Sequence, residues 1–195
     1  TGSGNATVDG IRGALDIESG SGGLKITNIG STVRAETGSG NIEAGQISGN
    51  LRAKTGSGSV EARGIGGGFE GSSGSGNIVL EQTASGAVRA DTGSGSLELR
   101  GVRGSLEASS GSGNIRADGD PTGSWTVHTG SGGVDLQLAS GAKFDLDART
   151  SSGAISVAQP VTVQGSLGKK RIAGKVNGGG VLVSVETGSG GIDIR

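Results

Sequence analysis

The 195-residue chain has no cysteine, no methionine and no tyrosine, and carries one tryptophan, two phenylalanines, two prolines and one histidine. Without cysteine there can be neither disulfides nor thiolate metal sites, so the redox compartment leaves no mark on the sequence. No apolar run approaches the roughly 20 residues that a membrane-spanning helix needs, so this segment is expected not to insert into a membrane. Seventeen Lys and Arg stand against 18 Asp and Glu without a long run of either sign, which argues against nucleic acid or an anionic lipid surface as the partner. The chain opens inside a repeat motif, with no initiator methionine and no signal peptide in view. A processed or truncated protein is expected, with a targeting or anchoring segment before Thr1.

Glycine is abundant instead, with 44 residues, and it is periodic. A four-residue punctuation of the form Thr/Ser-Gly/Ser-Ser-Gly begins at Thr1, Ser19, Thr37, Thr55, Ser73, Thr92, Ser110, Thr129, Thr150 and Thr187. Up to Thr129 the spacing is 18 or 19 residues, so one supersecondary unit is repeated and the repeat decides the fold class. Glycine without period would suggest disorder. Here apolar residues recur at fixed offsets and can offset the ordering entropy.

Each repeat divides into two nonapeptides, as in TGSGNIEAG (37–45) and QISGNLRAK (46–54). Four turn residues precede five that alternate apolar and polar, the period of a half-buried strand. The inward residues of the first strand include Ile42, Val60, Ile78, Leu97 and Ile115; those of the second include Leu51, Phe69, Val88, Leu106 and Trp125. This pattern predicts an all-β, right-handed parallel β-solenoid of about 18 residues and two strands per coil, forming one domain over 1–195. The handedness rests on the general preference of parallel crossovers. Stacking near 4.8 Å makes a rod on the order of 50 Å long.

The two corners of a coil differ. One carries the Gly-Ser-Gly punctuation, read as a Ser/Thr ladder in which glycine supplies positive φ; the other carries Ile11, Ile29, Ile47, Ile65 or Val102 as an apolar plug. Outward positions on one face run Asp16, Arg34, Arg52, Glu70, Arg89 and Glu107. Most neighbours there are opposite in sign, which suits stacking. The repeat breaks late: residues 159–180 form an irregular insertion containing Lys169, Lys170 and Arg171, read as an end cap with Leu167, Ile172 and Val176 as its apolar contacts. Gly191 to Arg195 is then expected to be the last strand of the rod, with one bare edge, as is the first coil at the other end. Candidate interaction residues are Arg34, Arg52, Glu70 and Arg89 on the face, and Lys169, Lys170 and Arg171 in the insertion.

The phased TGSG-x-apolar-x-apolar units, GKVNGGG (174–180) and ETGSGGIDIR (186–195) together resemble the bacterial adhesin-like β-strand-repeat family, a domain of unknown function, over essentially the whole chain. The resemblance implies a right-handed parallel β-solenoid, exported across or attached to a bacterial envelope, and brings no active-site residues with it. The nine-residue period is also similar to that of the calcium-binding β-roll. There the sixth place is Asp, whereas here it is Ile42, Val60, Ile78 or Leu97, so calcium is not expected in the regular coils. Asp118 and Asp120 lie at a turn without further acidic ligands and read as turn formers.

Catalysis finds little support. His128 stands at an outward position, and no serine lies in a strand-to-helix nucleophile elbow. The Gly-Ser-Gly punctuations are not phosphate loops, because no helical period follows them. Asp145 and Asp147 could serve as paired carboxylates, but tight corners leave no long loops for a cleft outside 159–180. Trp125, Phe69 and Phe144 fall on inward phases and are expected in the core, and the Asn5-Ala6-Thr7 sequon lies in a tight turn. The chain is therefore read as a non-catalytic structural or interaction module at the bacterial surface, requiring no cofactor, with a protein or surface polymer as partner. The alternatives are a head-to-tail fibre subunit associating through strand edges and, more remotely, a polysaccharide-acting β-helix enzyme.

Overall fold

The computed structural model describes residues 2–163, 168 and 170–195, and its regular structure is entirely β. The first seven coils run in chain order. They comprise β1 (Ala6–Asp9), β2 (Leu15–Ser19), β3 (Leu24–Ile29), β4 (Val33–Thr37), β5 (Ile42–Ile47), β6 (Leu51–Thr55), β7 (Val60–Ile65), β8 (Phe69–Ser73), β9 (Ile78–Gln82), β10 (Val88–Thr92), β11 (Leu97–Arg103), β12 (Leu106–Ser110), β13 (Ile115–Asp120) and β14 (Trp125–Thr129). The remainder comprises β15 (Val134–Leu138), β16 (Phe144–Thr150), β17 (Ile155–Val157), β18 (Val161–Val163), β19 (Arg171–Val176), β20 (Val181–Thr187) and β21 (Ile192–Ile194).

Odd-numbered strands up to β15 stack in parallel into one sheet and even-numbered strands up to β14 into the other. The rows match the predicted phase: Ile42, Val60, Ile78, Leu97 and Ile115 are register partners in succession, and all are buried. Trp125, Phe69 and Phe144 also lie in the core, with Trp125 Nε1 donating to Gly104 O at 3.0 Å. The chain thus forms a β-solenoid with its core between two facing sheets.

The punctuation corner holds a buried hydroxyl ladder. Thr55 Oγ1 donates to Gly40 O of the preceding coil at 2.8 Å and accepts from Gly58 N of its own coil at 3.0 Å. Ser73, Thr92, Ser110 and Thr129 repeat the pair of bonds. Each hydroxyl satisfies a turn amide and a neighbouring carbonyl where water does not reach. The glycines here are not in the left-handed region, so the expectation of positive φ is corrected. Close approach requires them: a Cβ on Gly58 would lie 2.0 Å from Gly40 O. The left-handed residues mark the other corner instead, at Gly10, Asn28, Gln46, Gly64 and Gly101, each directly before the plug residue. There Ile29, Ile47, Ile65 and Val102 are buried, and Gln82 takes the plug place with its amide donating to Gly67 O at 2.8 Å; Ile11 in the first coil is exposed, so the plug expected there is corrected.

The late coils depart from chain order. In the second sheet the sequence of neighbours is β14, β20, β16, β19, β18; in the first it is β15, β21, β17. After β15 the chain passes over one coil position, builds β16 and β17 beyond it, and returns through 159–180 to fill the gap with β20 and β21. The expectation that Gly191 to Arg195 ends the rod is therefore corrected, since β21 pairs with β15 on one side and β17 on the other. The insertion does supply a cap, as β19 lies antiparallel on β16 and β18 antiparallel on β19. Val176 is buried and Ile172 half-buried in it, while Leu167 lies outside the described residues.

Candidate interaction face

Register places Asp16, Arg34, Arg52, Glu70, Arg89 and Glu107 in one outward row along the second sheet. Alternation puts these side chains outside, and the common coil length aligns them. Arg52 Nη1 lies 3.3 Å from Glu70 Oε2, and Arg89 reaches Glu107 at 2.9 Å and Asp91 at 3.0 Å. Arg34 faces like-charged Arg52 in the register but turns to Glu36 at 3.0 Å and Glu18 at 3.9 Å. The hydrogen bond from Arg34 to Glu36, and the negative charge of Asp91 beside Arg89, push both guanidinium pKa values further up and keep them charged.

A shallow trough of about 690 Å³ runs beside this row, lined by Arg52, Glu70, Arg89 and Glu107 on one flank and by Asn50, Gly68, Ala87 and Ser105 on the other. The small residues before each strand open it. Its charges alternate in sign, so it suits a hydrogen-bonding, mixed-charge partner rather than a polyanion. A second trough of about 610 Å³ on the opposite sheet is lined in part by Arg116, Asp135, Ser156 and Asp193.

The basic residues of the insertion fasten it to the rod. Arg171 Nε lies 3.3 Å from Asp147 Oδ1, Arg149 holds the same carboxylate at 2.6 Å, and Lys170 Nζ donates to Ser151 O. Arg149, with Arg171 adding to it, holds the Asp147 carboxyl below its ordinary range. Lys169 lies outside the described residues. The face and insertion candidates are thus two separate groups, on β4 to β10 and at the start of β19 with the residue before it.

The remaining chemical candidates stand apart from one another. His128 is exposed, with Nδ1 at 4.0 Å from Glu186. Asp118 and Asp120 lie within β13 rather than in a turn, which corrects the turn-former expectation, and Asp118 accepts from Gly101 N of the preceding coil at 3.0 Å. Among the described residues no group of three or more His, Cys, Asp or Glu could hold a metal ion. Sequence reasoning missed an asparagine ladder: Asn5, Asn41, Asn77 and Asn114 each accept, through Oδ1, an amide of the next coil at 2.8–2.9 Å. Asn at the fifth place of the TGSGN and SGSGN units was the available signal.

The NGGG sequence explains how the chain reaches the vacant coil. Because β19 and β20 flank β16, residues 177–180 must cross the start of that strand. Asn177, Gly178 and Gly179 are all left-handed, with φ of 51°, 93° and 84°. Asn177 Nδ2 donates to Ala142 O at 2.9 Å, and a Cβ on Gly180 would lie 2.3 Å from Lys143 O. Only glycine lets the bridge rest on the backbone beneath it.

No curated protein and no solved structure matches the chain. The profile of the family described as Toastrack DUF4097 matches residues 33–195, which take in the stacked coils from β4 onward, the glycine bridge and the interleaved strands. The chain therefore belongs to the Toastrack family, a domain of unknown function.

Proposed function

We propose that this protein is a non-catalytic structural and interaction module, an adhesin-like rod displayed at the bacterial cell surface, with the row from Arg34 to Glu107 and its trough as the contact face. The observation that carries this reading is how the conspicuous polar side chains are used. The punctuation hydroxyls, the ladder asparagines and charged pairs such as Arg52–Glu70 and Arg89–Glu107 bond to a neighbouring coil, which stiffens a long surface and, among the described residues, uses the polar groups in stacking rather than in a convergent acid, base and nucleophile. The partner is a protein or surface polymer that complements the alternating charges of the row.

The head-to-tail fibre is less well supported. At the cap the second sheet extends past the first, because β19 and β18 continue beyond β16 whereas β17 ends its sheet among the described residues. A flush copy of the first coil would meet a step.

The test is surface labelling of the producing bacterium with an antibody to the rod, together with binding of purified protein to isolated cell-wall polysaccharide and to surface-protein extracts. Arg52→Ala with Arg89→Ala should weaken binding several-fold while the melting temperature stays within a few degrees. Labelling only after cell lysis would remove the surface assignment, and release of new reducing ends from the polysaccharide would favour an enzyme.

A further inference from the structure

The coil formed by β20 and β21 is bonded on both sides by strands that are distant in sequence. β20 pairs along its length with β16 and over Val183–Thr187 with β14, and β21 with β15 and β17. Across the bridge, its neighbour in sequence is β19, and the two are not bonded to each other because β16 lies between them. Every surface holding Val181–Arg195 in place is therefore one that any copy of the chain also possesses.

The bridge is the single feature that makes this arrangement intramolecular. It is four residues long, crosses over Lys143, and keeps three successive residues left-handed, one of them the non-glycine Asn177. Short hinge connections favour exchange of the element they carry, because opening the hinge leaves the interface to be re-formed unchanged in a second copy. Folding order adds to this. Thr129 and Thr187 are register partners 58 residues apart, so the position beside β14 stays open until a distant segment arrives.

We propose that Val181–Arg195 is an exchangeable strand pair, which can fill the vacant coil of a second copy of this chain while that copy's segment fills the first. β19 runs toward the 177–180 edge and β20 runs away from it. Straightening the bridge thus carries β20 across that edge into a facing molecule, and the product is a two-fold dimer joined edge to edge. This association uses neither rod end, so it differs from head-to-tail stacking and survives its failure.

The chain's lack of cysteine allows a direct test. Thr126 on β14 and Ser184 on β20 are outward register partners. Thr126→Cys in one chain and Ser184→Cys in another are denatured together, refolded at rising protein concentration and oxidised in air. A mixed disulfide dimer is expected to increase with concentration and to be absent when the chains are refolded separately and then mixed. A chain carrying both cysteines, refolded dilute, should close the bond within a monomer. Deleting Gly178 and Gly179 leaves the bridge too short for its own coil and should shift the whole population to dimer by light scattering, in the chain without cysteines. Equal mixed disulfide in the two mixing orders would overturn the proposal, as would a deletion variant that stays monomeric at every concentration.

Discussion

The Thr187 hydroxyl donates to the Gly132 carbonyl at 2.7 Å across 55 residues of sequence, whereas the same bond spans 15 from Thr37 to Gly22 and 16 from Thr92 to Gly76. The ladder is chemically continuous through the interleaved coil although the chain is not. Thr150 continues it on the far side by donating to Gly190 O at 2.9 Å. A hydroxyl in this position serves whichever coil lies below it, which is why the ladder itself runs unbroken through the late coils.

Ile78→Asp should destabilise the protein by ~4 kcal/mol or more, because the carboxylate would be desolvated in a dry core without a partner. Ile78 is fully buried between Val60 and Leu97. Ile78→Val should cost about 1 kcal/mol. Chemical denaturation of both variants checks the phase of the first sheet, and similar midpoints would contradict it.

Thr129→Val keeps the shape of a fully buried residue but deletes a hydroxyl that donates to Gly113 O at 2.8 Å and accepts from Gly132 N at 3.2 Å. Two buried polar groups lose their partner, at a cost of about 1–3 kcal/mol. Faster amide exchange at Gly132 in the variant is the accompanying signature.

Gly113→Ala should be severe, since its Cβ would sit 1.8 Å from Gly95 O, part of a backbone that cannot move without separating two coils. Gly141→Ala meets open space and should stay within about 0.5 kcal/mol of the parent. Melting temperatures of the two variants separate close approach from mere flexibility as the role of the punctuation glycines.

Acid should loosen the late coils. Hydrogen bonding to Arg149 and to Arg195 lowers the pKa values of Asp147 and Asp193 from the ordinary 3.8. Stability from a depressed carboxyl is complete above its unfolded pKa and is lost as the pH falls through the folded value. Unfolding followed from pH 7 to below about 3 should therefore show stability falling below about pH 4. Asp147→Asn should flatten that fall, and an unchanged acid profile would remove Asp147 from the cause.

EDTA should leave circular dichroism and melting temperature unchanged, because the sixth place of the regular coils holds buried Ile, Val or Leu rather than a carboxylate. A drop of several degrees would point to Asp118 and Asp120 first.

The coil is written in the repeat. A period of 18 with alternation inside it forces Ile42, Ile78 and Leu97 onto one face, because a strand has only two faces and a slip of one residue would expose the whole row. The same regularity made the outward row from Asp16 to Glu107 legible, since in-register stacking turns a sequence offset into a spatial neighbour. Which rotamer Arg34 adopts between Glu18, Glu36 and Arg52 was not legible, because it depends on all three partners at once. Nor was the reason for the punctuation glycines, since a steric demand from the next coil leaves the same letter in the sequence as a demand for positive φ.

The order of the last coils follows from long-range packing and not from the repeat. Phe144–Thr150 and Val181–Thr187 carry the same alternation, and Ile155–Val157 and Ile192–Ile194 likewise, so either pair fits beside β14 and β15 by pattern alone. The choice falls to the insertion. β19 covers the outer side of β16, and a bridge of Asn and three glycines is thin enough to cross that strand and deliver β20 to its inner side. Local periodicity fixes which residues face the core, but equivalent repeats are interchangeable until long-range packing assigns each one a place.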